Sequence, residues 1–176
     1  MLEGVDKSGK SSLINYFSKL FPVQVWKFDR KPKDNSIEER LRIKNHYLTT
    51  LEMIKQLPNT IHVLDRFHFS ELVYSIKRGY DAYEDSWFFD VLEPKIKELQ
   101  HLLVLCNCEK KELSERFERE SDKFVSIEEI DNLLKRYKLS YENSTLNHVQ
   151  VDTTNRKFNE NLSLIMTNYI HQNLGI

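Results

Sequence analysis

One stretch near the start of the chain, residues 4–11, constrains the fold more than any other feature. It reads Gly-Val-Asp-Lys-Ser-Gly-Lys-Ser and matches the pattern G-x-x-x-x-G-K-[ST] in full. A short apolar segment precedes it, and apolar residues at helical spacing follow it as far as Phe21. Glycines let the backbone curl so that its N–H groups point inward, and a helix that follows presents its positive end. The stretch therefore predicts a strand–loop–helix unit that binds phosphate.

The side chains of this loop have separate roles in such a site. Lys10 places an ammonium against the β- and γ-phosphates of a nucleoside triphosphate, and the Ser11 hydroxyl can ligate Mg²⁺. ATP and Mg²⁺ are therefore the predicted cofactors. The alternative interpretation is a glycine turn with a chance lysine, which leaves the strand and helix around the loop unexplained. The loop residues predicted to bind the nucleotide are Gly4, Asp6, Lys7, Ser8, Gly9, Lys10, Ser11 and Ser12.

The loop by itself does not separate kinases from GTPases or motor ATPases. A GTPase would also carry an N/T-K-x-D motif that recognises the base after a later strand, and the sequence contains none. This difference favours a kinase.

Helical and strand patterns alternate along the whole chain, which is typical of an α/β fold with a parallel sheet. The length of 176 residues suits one domain, and no repeat or low-complexity linker divides it. We therefore expect a single domain over residues 1–176, with a five-stranded parallel sheet flanked by helices. The predicted strands cover residues 1–3, 23–28, 61–65, 102–107 and 149–151.

A second polar cluster, Asp65 and Arg66, follows the apolar run of the third predicted strand. A carboxylate at the carboxyl end of a parallel strand next to the first strand lies near the bound phosphates. Asp65 can therefore reach the magnesium or accept hydrogen bonds from the substrate that receives the phosphoryl group. The planar fork of Arg66 can bridge two phosphates. The alternative is a surface ion pair with no role in function.

Composition bears on the partners and the compartment. Lys plus Arg is 26 and Asp plus Glu is 27, whereas proteins that bind duplex nucleic acid usually carry a basic excess. Nucleic acid is therefore not the expected partner. The sequence has no apolar run long enough to cross a bilayer and no signal peptide, so we expect no membrane and a cytoplasmic location. Cys106 and Cys108 lie in an apolar run and are interpreted as structural.

These motifs resemble those of the thymidylate kinase family of nucleoside monophosphate kinases. Residues 2–12 are similar to that family's L-E-G-x-D-x-x-G-K-S-T, and residues 65–70 to its D-R-[YF]-x-x-S. Weaker landmarks follow in order along nearly the whole chain. They are residues 30–32 against R-E-P, 115–118 against E-R-Y-E, 136–137 against R-Y and 151–154 against D-A-[ST].

The resemblance implies the P-loop kinase fold and a role for each matching residue on the acceptor side. Asp6 would contact the 3′-hydroxyl of the acceptor. Arg30 and Arg66 would hold the acceptor phosphate, with Ser70 and Tyr74 in the same site.

On the ATP side, the resemblance implies a small mobile lid at about residues 116–125. Arg116 and Arg119 would lie on this lid, and Lys7 would share its work. Thr153 and Thr154 would lie near the adenine, and two chains would form a homodimer through their helices. The implied catalytic residues are Lys10, Asp65, Arg66 and Arg116, with Ser11 and Asp65 as metal ligands.

The sequence departs from the family at several positions. Lys31 replaces a glutamate and Phe117 replaces a tyrosine that helps to exclude ribose. The helix after Ser36 lacks the Phe–Arg pair that holds thymine, so the preference for thymine is in question. Only Met1 and Leu2 precede Glu-Gly, so either the first strand is short or the natural start lies upstream. The polar residues that the helix offers near the expected Phe–Arg positions are Arg42, Lys44 and Asn45, beside Leu41.

The predicted activity is ATP-dependent phosphoryl transfer to a (deoxy)nucleoside monophosphate, thymidylate or a related deoxynucleotide. Three alternatives stay open. A deoxynucleoside kinase would need a base, usually a glutamate where Asp65 lies, and a kinase of a base in DNA would need a basic groove. The third is a non-catalytic ATP-binding regulatory module, which the intact Lys10, Ser11, Asp65 and Arg66 disfavour.

Overall fold

The structure is a computed structural model that describes residues 1–28, 35–119, 125–155 and 157–174, with the backbone alone for 170–174. Five strands form one parallel sheet, which confirms the predicted architecture. The strands are β1 (Leu2–Glu3), β2 (Val23–Lys27), β3 (Ile61–Asp65), β4 (Leu103–Asn107) and β5 (His148–Asp152). Their order across the sheet is β2-β3-β1-β4-β5.

Helices connect the strands and cover both faces of the sheet, as parallel pairing requires. Among the described residues, no helix is both long and apolar enough to cross a membrane. Ser36 caps the second helix, because its side chain accepts a hydrogen bond from the backbone N–H of Glu39 at 3.2 Å. The helices are α1 (Lys10–Leu20), α2 (Ile37–Lys55), α3 (His68–Tyr74), α4 (Glu93–Lys97), α5 (Lys110–Arg119), α6 (Ile130–Asn143) and α7 (Phe158–Leu174).

The middle of the chain is less regular than its sequence pattern predicts. The helix expected to run to Arg78 is α-helical only to Tyr74 and tightens to a 3₁₀ helix over Ser75–Arg78. The helix expected near Ser86 begins as a π-helical turn over Phe88–Leu92 and becomes α4 afterwards. Pro94 explains the second difference, because it has no backbone N–H to close an α-helical turn onto the preceding residues.

The strand order places the candidate site at a reversal of the sheet. From β1, the chain builds outward to β3 and β2 on one side and to β4 and β5 on the other. Leu2 pairs with Asp65 in β3 and with Val104 in β4. Ligands of open α/β sheets bind at the carboxyl ends of the strands at such a switch point. The loops after β1 and β3 therefore meet where a ligand is expected.

A buried polar network fixes α3 from behind. His68 and Glu93 have no exposed surface, and the Nε2 of His68 lies 3.2 Å from Glu93 Oε1. Glu93 also accepts hydrogen bonds from the hydroxyls of Ser144 at 2.7 Å and Thr145 at 2.8 Å. Burial by itself would raise the pKa of Glu93, but the hydrogen bonds from His68, Thr145 and Ser144 outweigh burial and lower it. The network ties α3 to α4 and to the end of α6.

Candidate active site

The loop between β1 and α1 is curled by three residues with positive φ. Gly4 has φ 141°, Lys7 61° and Gly9 91°. At Gly4 a side chain would also clash, since an added Cβ would lie 2.5 Å from the carbonyl oxygen of Cys106 in β4. Glycine is therefore required at this position, because β4 packs directly against the start of the loop. The backbone has the curled form that the motif predicts.

Lys10 lies inside the curl. Its ammonium donates to the carbonyl oxygens of Gly4 at 2.7 Å and Val5 at 2.8 Å, and the residue is only 5% exposed. Burial, together with the nearby charge of Arg66, lowers the pKa of Lys10 to about 8. Burial thus makes the charged form of Lys10 less favourable, at the place where the motif predicts phosphates.

Arg66 reaches the same loop from the end of β3. Its backbone has a φ of 67°, and its N–H donates to the Leu2 carbonyl at 2.9 Å, which extends the sheet by one residue. Its guanidinium forms an ion pair with Asp6 and donates to the Gly4 carbonyl at 3.4 Å. Tyr74 in α3 donates to the other carboxylate oxygen of Asp6 at 2.7 Å. The structure therefore brings together Asp6, Arg66 and Tyr74, which the sequence assigned to the acceptor.

Two residues in this cluster were missed by the sequence reasoning. Glu3 has no exposed surface, and its carboxylate accepts from the Phe67 N–H at 2.6 Å and from the Ser70 hydroxyl at 2.7 Å. The hydroxyl of Tyr137, in α6, lies 3.3 Å from the guanidinium of Arg66 and 3.0 Å from the Ser70 hydroxyl. Glu3 lies inside the matched motif, which was a signal. Tyr137 lies in the weaker landmark at residues 136–137, but its position on the apolar stripe of its helix indicated a core residue.

A cavity of about 330 Å³ opens on the other side of the loop. Its lining combines four cationic side chains with the start of α1, which suits a polyphosphate. It is lined by Lys7, Gly9, Lys10, Ser11, Ser12, Arg116, Arg119 and Phe158.

Arg116 is the most constrained side chain of this cavity. Its guanidinium donates to the carbonyl oxygens of Lys7 at 3.1 Å and of Thr153 and Thr154 at 3.0 Å each. Its Nε donates to Glu112 one turn earlier at 2.7 Å. Arg116 thus ties the phosphate loop to the turn that follows β5.

The turn after β5 contacts the phosphate loop directly as well. The Thr153 hydroxyl hydrogen-bonds the carbonyl oxygens of Ser8 and Asn107, the latter at 2.7 Å. The Thr154 hydroxyl accepts from the N–H of Glu109 at 2.9 Å. The two threonines therefore lie beside the phosphate loop, on the side where the resemblance places the adenine.

The predicted metal ligands have suitable chemistry and position. Ser11 is exposed at the first turn of α1, and Asp65 ends β3. The Asp65 carboxylate makes no hydrogen bond or ion pair with the residues that the structure describes. Magnesium in such sites keeps several waters and takes its other ligands from phosphates and one or two protein oxygens. A hydroxyl and an uncommitted carboxylate at one edge of the sheet fit that requirement.

Known proteins resemble this chain in fold and not in overall sequence. No family model and no curated protein matches the sequence. The YorR protein of Bacillus subtilis, in complex with phosphorylated GDP, matches with a TM-score of 0.67 and 23% identity, over 97% of this chain and 95% of that chain. Deoxyadenosine kinase from M. mycoides, with the products dCMP and dCDP bound, matches at 0.59 and 17%, over 94% and 95%. Thymidylate kinase from Candida albicans matches at 0.56 and 15%, over 96% and 91%.

The chain has a P-loop kinase fold. The fold that the motifs predict is thereby confirmed. The likeness covers at least 91% of each of these three proteins.

Two parts of the predicted site are placed differently or fall outside the described residues. Arg116 and Arg119 lie at the end of α5, and Arg116 is buried against backbone carbonyls. Residues 120–124 of the predicted lid lie outside the described residues, as does Arg30. The lid itself and the acceptor role of Arg30 stay predictions.

On the side of α2, the polar residues suggested for the base already have partners. Arg42 is paired with Glu39, and Lys44 forms an ion pair with Asp85 at 2.5 Å. Asn45 is exposed. In this P-loop kinase fold, α2 therefore offers fewer unpaired donors to a base than its sequence indicates.

A further buried carboxylate, Glu71, was also missed. It follows Ser70 in α3, is 7% exposed, and accepts hydrogen bonds from Arg78 and Tyr80. Burial raises the pKa of Glu71, and the nearby Glu39 raises it further, against the opposing effect of Arg78. Glu71, a hydrogen-bond acceptor, and its donors Arg78 and Tyr80 therefore lie together at α3 and the turn that follows it.

The lowered pKa of Lys10 predicts a pH dependence of nucleotide binding. Only the protonated lysine attracts phosphate, so affinity for ATP holds below the pKa of about 8 and is lost above it. We expect binding to weaken about tenfold for each pH unit above that value. Titration calorimetry between about pH 7 and pH 9.5 measures this, where the phosphates of ATP are already ionised.

The matched control is Lys10→Arg, whose guanidinium does not titrate in this range. Its affinity for ATP should be flat with pH even if it is weaker overall. A wild-type profile as flat as that of the variant would contradict the role of Lys10 in binding phosphate.

Proposed function

We propose that the protein transfers a phosphoryl group from Mg²⁺-bound ATP to a (deoxy)nucleoside monophosphate, giving the diphosphate and ADP. The observation that carries this is the pair of cations at the switch point, Lys10, which is buried, and Arg66, which is 15% exposed. Lys10 and Arg66 lie close enough for Arg66 to lower the pKa of Lys10. Two converging cations are costly in a protein interior unless an anion meets them. Asp6 offsets the charge of Arg66 through its ion pair, and phosphates on both sides of the loop would supply the further negative charge.

The residues divide into a donor side and an acceptor side. Lys10, Ser11 and the curled backbone would bind the phosphates of ATP in the 330 Å³ cavity, with Arg119 at its rim. Arg66 would hold the acceptor phosphate, and Asp6 with Tyr74 would position its sugar. When bound, Mg²⁺ would neutralise charge on the transferred group.

A phosphate acceptor also fits what the site lacks. Phosphoryl transfer to an oxygen that is already anionic needs positioning and neutralised charge, and no strong base. His62 and His68, which flank Asp65 in sequence, are engaged elsewhere. His62 accepts from the Trp26 indole at 3.0 Å, and His68 contacts Glu93 behind α3.

A deoxynucleoside kinase is the second candidate, because the Asp65 carboxylate has no partner among the described residues. An uncommitted carboxylate at the end of β3 could accept the proton of a 5′-hydroxyl. One structural neighbour is named a deoxyadenosine kinase. Arg66 beside the phosphate loop favours the monophosphate over this candidate.

The base preference is proposed to be relaxed or other than thymine. Arg42 and Lys44 are paired with Glu39 and Asp85, and no Phe–Arg pair lies on α2. Large selectivity for one base requires polar groups matched to it.

The test is release of ADP from Mg²⁺-ATP across a panel of nucleosides and their monophosphates, with each base in ribo and deoxy form. We expect turnover with at least one deoxynucleoside monophosphate and none with the matched nucleosides. Activity on nucleosides but not on monophosphates would favour the second candidate. Strict selectivity for thymidylate would contradict the proposed base preference.

A further inference from the structure

Two hydrogen-bonded arms hold the guanidinium of Arg66 in the substrate-free protein. One arm is direct, through the ion pair with Asp6. The other runs from Arg66 to the Tyr137 hydroxyl at 3.3 Å, on to the Ser70 hydroxyl at 3.0 Å, and from Ser70 to Glu3 at 2.7 Å. The second arm consists of residues from β1, α3 and α6, so three separate parts of the fold meet at one guanidinium.

Every hydrogen bond of the second arm is donated in the order from Arg66 to Glu3. The Glu3 carboxylate can only accept, so Ser70 must donate to it and accept from Tyr137. Tyr137 then accepts from Arg66, which can only donate. Burial raises the pKa of Tyr137 well above its ordinary value, so its hydroxyl keeps the proton that it donates. Each hydroxyl in the arm is therefore satisfied in only one orientation.

Glu3 also fixes the backbone from which Arg66 extends. Its Oε1 accepts from the N–H groups of Phe67 at 2.6 Å and Ser70 at 3.4 Å, at the start of α3. Arg66 has a φ of 67°, a conformation that non-glycine residues adopt only when the surroundings impose it. The carboxylate of Glu3 is thus bound to the residues on the carboxyl side of that strained position.

The two arms differ in what a ligand can do to them. Asp6 is 26% exposed and lies in the site, so a substrate can compete for it. Tyr137 is 2% exposed and Glu3 fully buried, so a substrate can reach neither of these two residues of the second arm. When an acceptor phosphate draws Arg66 away from Asp6, the second arm is the one that stays in place.

On the basis of the function proposed above, we propose that Tyr137 and Glu3 are positioning residues that aim Arg66 at the acceptor phosphate. Neither touches the substrate, and the motifs in which they lie assigned neither of them a role in the site. Tyr137→Phe removes the Tyr137 hydroxyl and leaves the second contact of this arm, the direct hydrogen bond from the Arg66 guanidinium to the Ser70 hydroxyl at 3.3 Å. We expect it to raise the acceptor KM about three- to tenfold, the effect of one such hydrogen bond, with the affinity for ATP unchanged.

The matched control is Tyr141→Phe, the same substitution one turn along α6. The ring of Tyr141 packs on His148, and its hydroxyl is not part of the arm. Its acceptor KM should equal that of the wild type. An unchanged acceptor KM in Tyr137→Phe would overturn the proposal. So would a general loss, in which the affinity for ATP falls by the same factor as that for the acceptor and thermal stability falls as well. Glu3→Gln serves as a second variant, with an effect in the same direction.

A measurement without substrate separates this inference from the proposed function. Guanidinium rotation of Arg66 is followed by NMR with ¹⁵N-labelled arginine, and the signal is assigned by its loss in Arg66→Lys. We expect faster rotation in Tyr137→Phe and wild-type rotation in Tyr141→Phe. Equal rotation in both variants overturns the inference. If the wild type phosphorylates no monophosphate, the proposed function fails, while the rotation comparison still decides whether Tyr137 positions Arg66.

Discussion

Lys10→Ala is expected to lower turnover about 100- to 1000-fold, which is the usual loss when one donor to the charge of a transition state is removed. Lys10 is the one side chain that donates to two carbonyls at the start of the phosphate loop, Gly4 and Val5, among the residues the structure describes. From that position its ammonium can reach phosphates bound in the curl. ADP release under saturating Mg²⁺-ATP and acceptor measures the loss.

Lys19→Ala is the matched control for this prediction. Lys19 lies in the last turn of the same helix, is exposed, and is remote from the loop. Its turnover should stay within about twofold of the wild type, as is usual for surface changes. Turnover of Lys10→Ala within tenfold of the wild type, in a variant with an unaltered circular dichroism spectrum, would exclude the phosphate-loop assignment.

Arg66→Ala is expected to lower kcat/KM for the acceptor about 100-fold and to leave the affinity for ATP within about threefold. The reason is geometric. The guanidinium pairs with Asp6 on the acceptor side of the loop, whereas the ATP cavity is lined from the other side by Lys7 and Arg116. Steady-state kinetics with the acceptor varied, together with ATP titration, measure the two effects separately.

Arg66→Lys tests whether the planar fork matters or only the charge. A lysine keeps the cation but cannot reach Asp6 and Tyr137 at once, so it should recover less than half of the lost free energy. If Arg66→Ala weakened ATP binding and left the acceptor KM unchanged, the acceptor role of Arg66 would be wrong.

Local sequence signals were sufficient for the fold and for bringing together the phosphate loop and the end of β3. The phosphate loop is a contiguous motif whose glycines have a steric reason, and at Gly4 the reason is the Cys106 carbonyl behind it. Asp65 and Arg66 were found because a polar pair directly follows a buried strand. Both signals lie within a few residues of the atoms that matter, and strand order then brings them together.

The residues that were missed act across long distances in the chain. Tyr137 reaches Arg66 from 71 residues away, and a tyrosine on an apolar helix stripe reads as core until its hydroxyl is seen. The resemblance assigns Arg116 to a lid through the short pattern E-R-Y-E, and that role stays a prediction. In the structure its guanidinium is used by backbone carbonyls of Lys7, Thr153 and Thr154. Backbone acceptors leave no trace in a sequence pattern.

The hydrogen bonds of Arg116 to main-chain carbonyls limit how this sequence can vary. The three acceptors of Arg116 are main-chain oxygens, which every amino acid carries. Positions 7, 153 and 154 can therefore exchange side chains without loss of these bonds, whereas position 116 cannot give up its five-donor fork. Attempts to change the nucleotide donor by redesigning the turn at 153–154 should succeed only where they preserve its backbone path, because any shift of that path is transmitted to the phosphate loop.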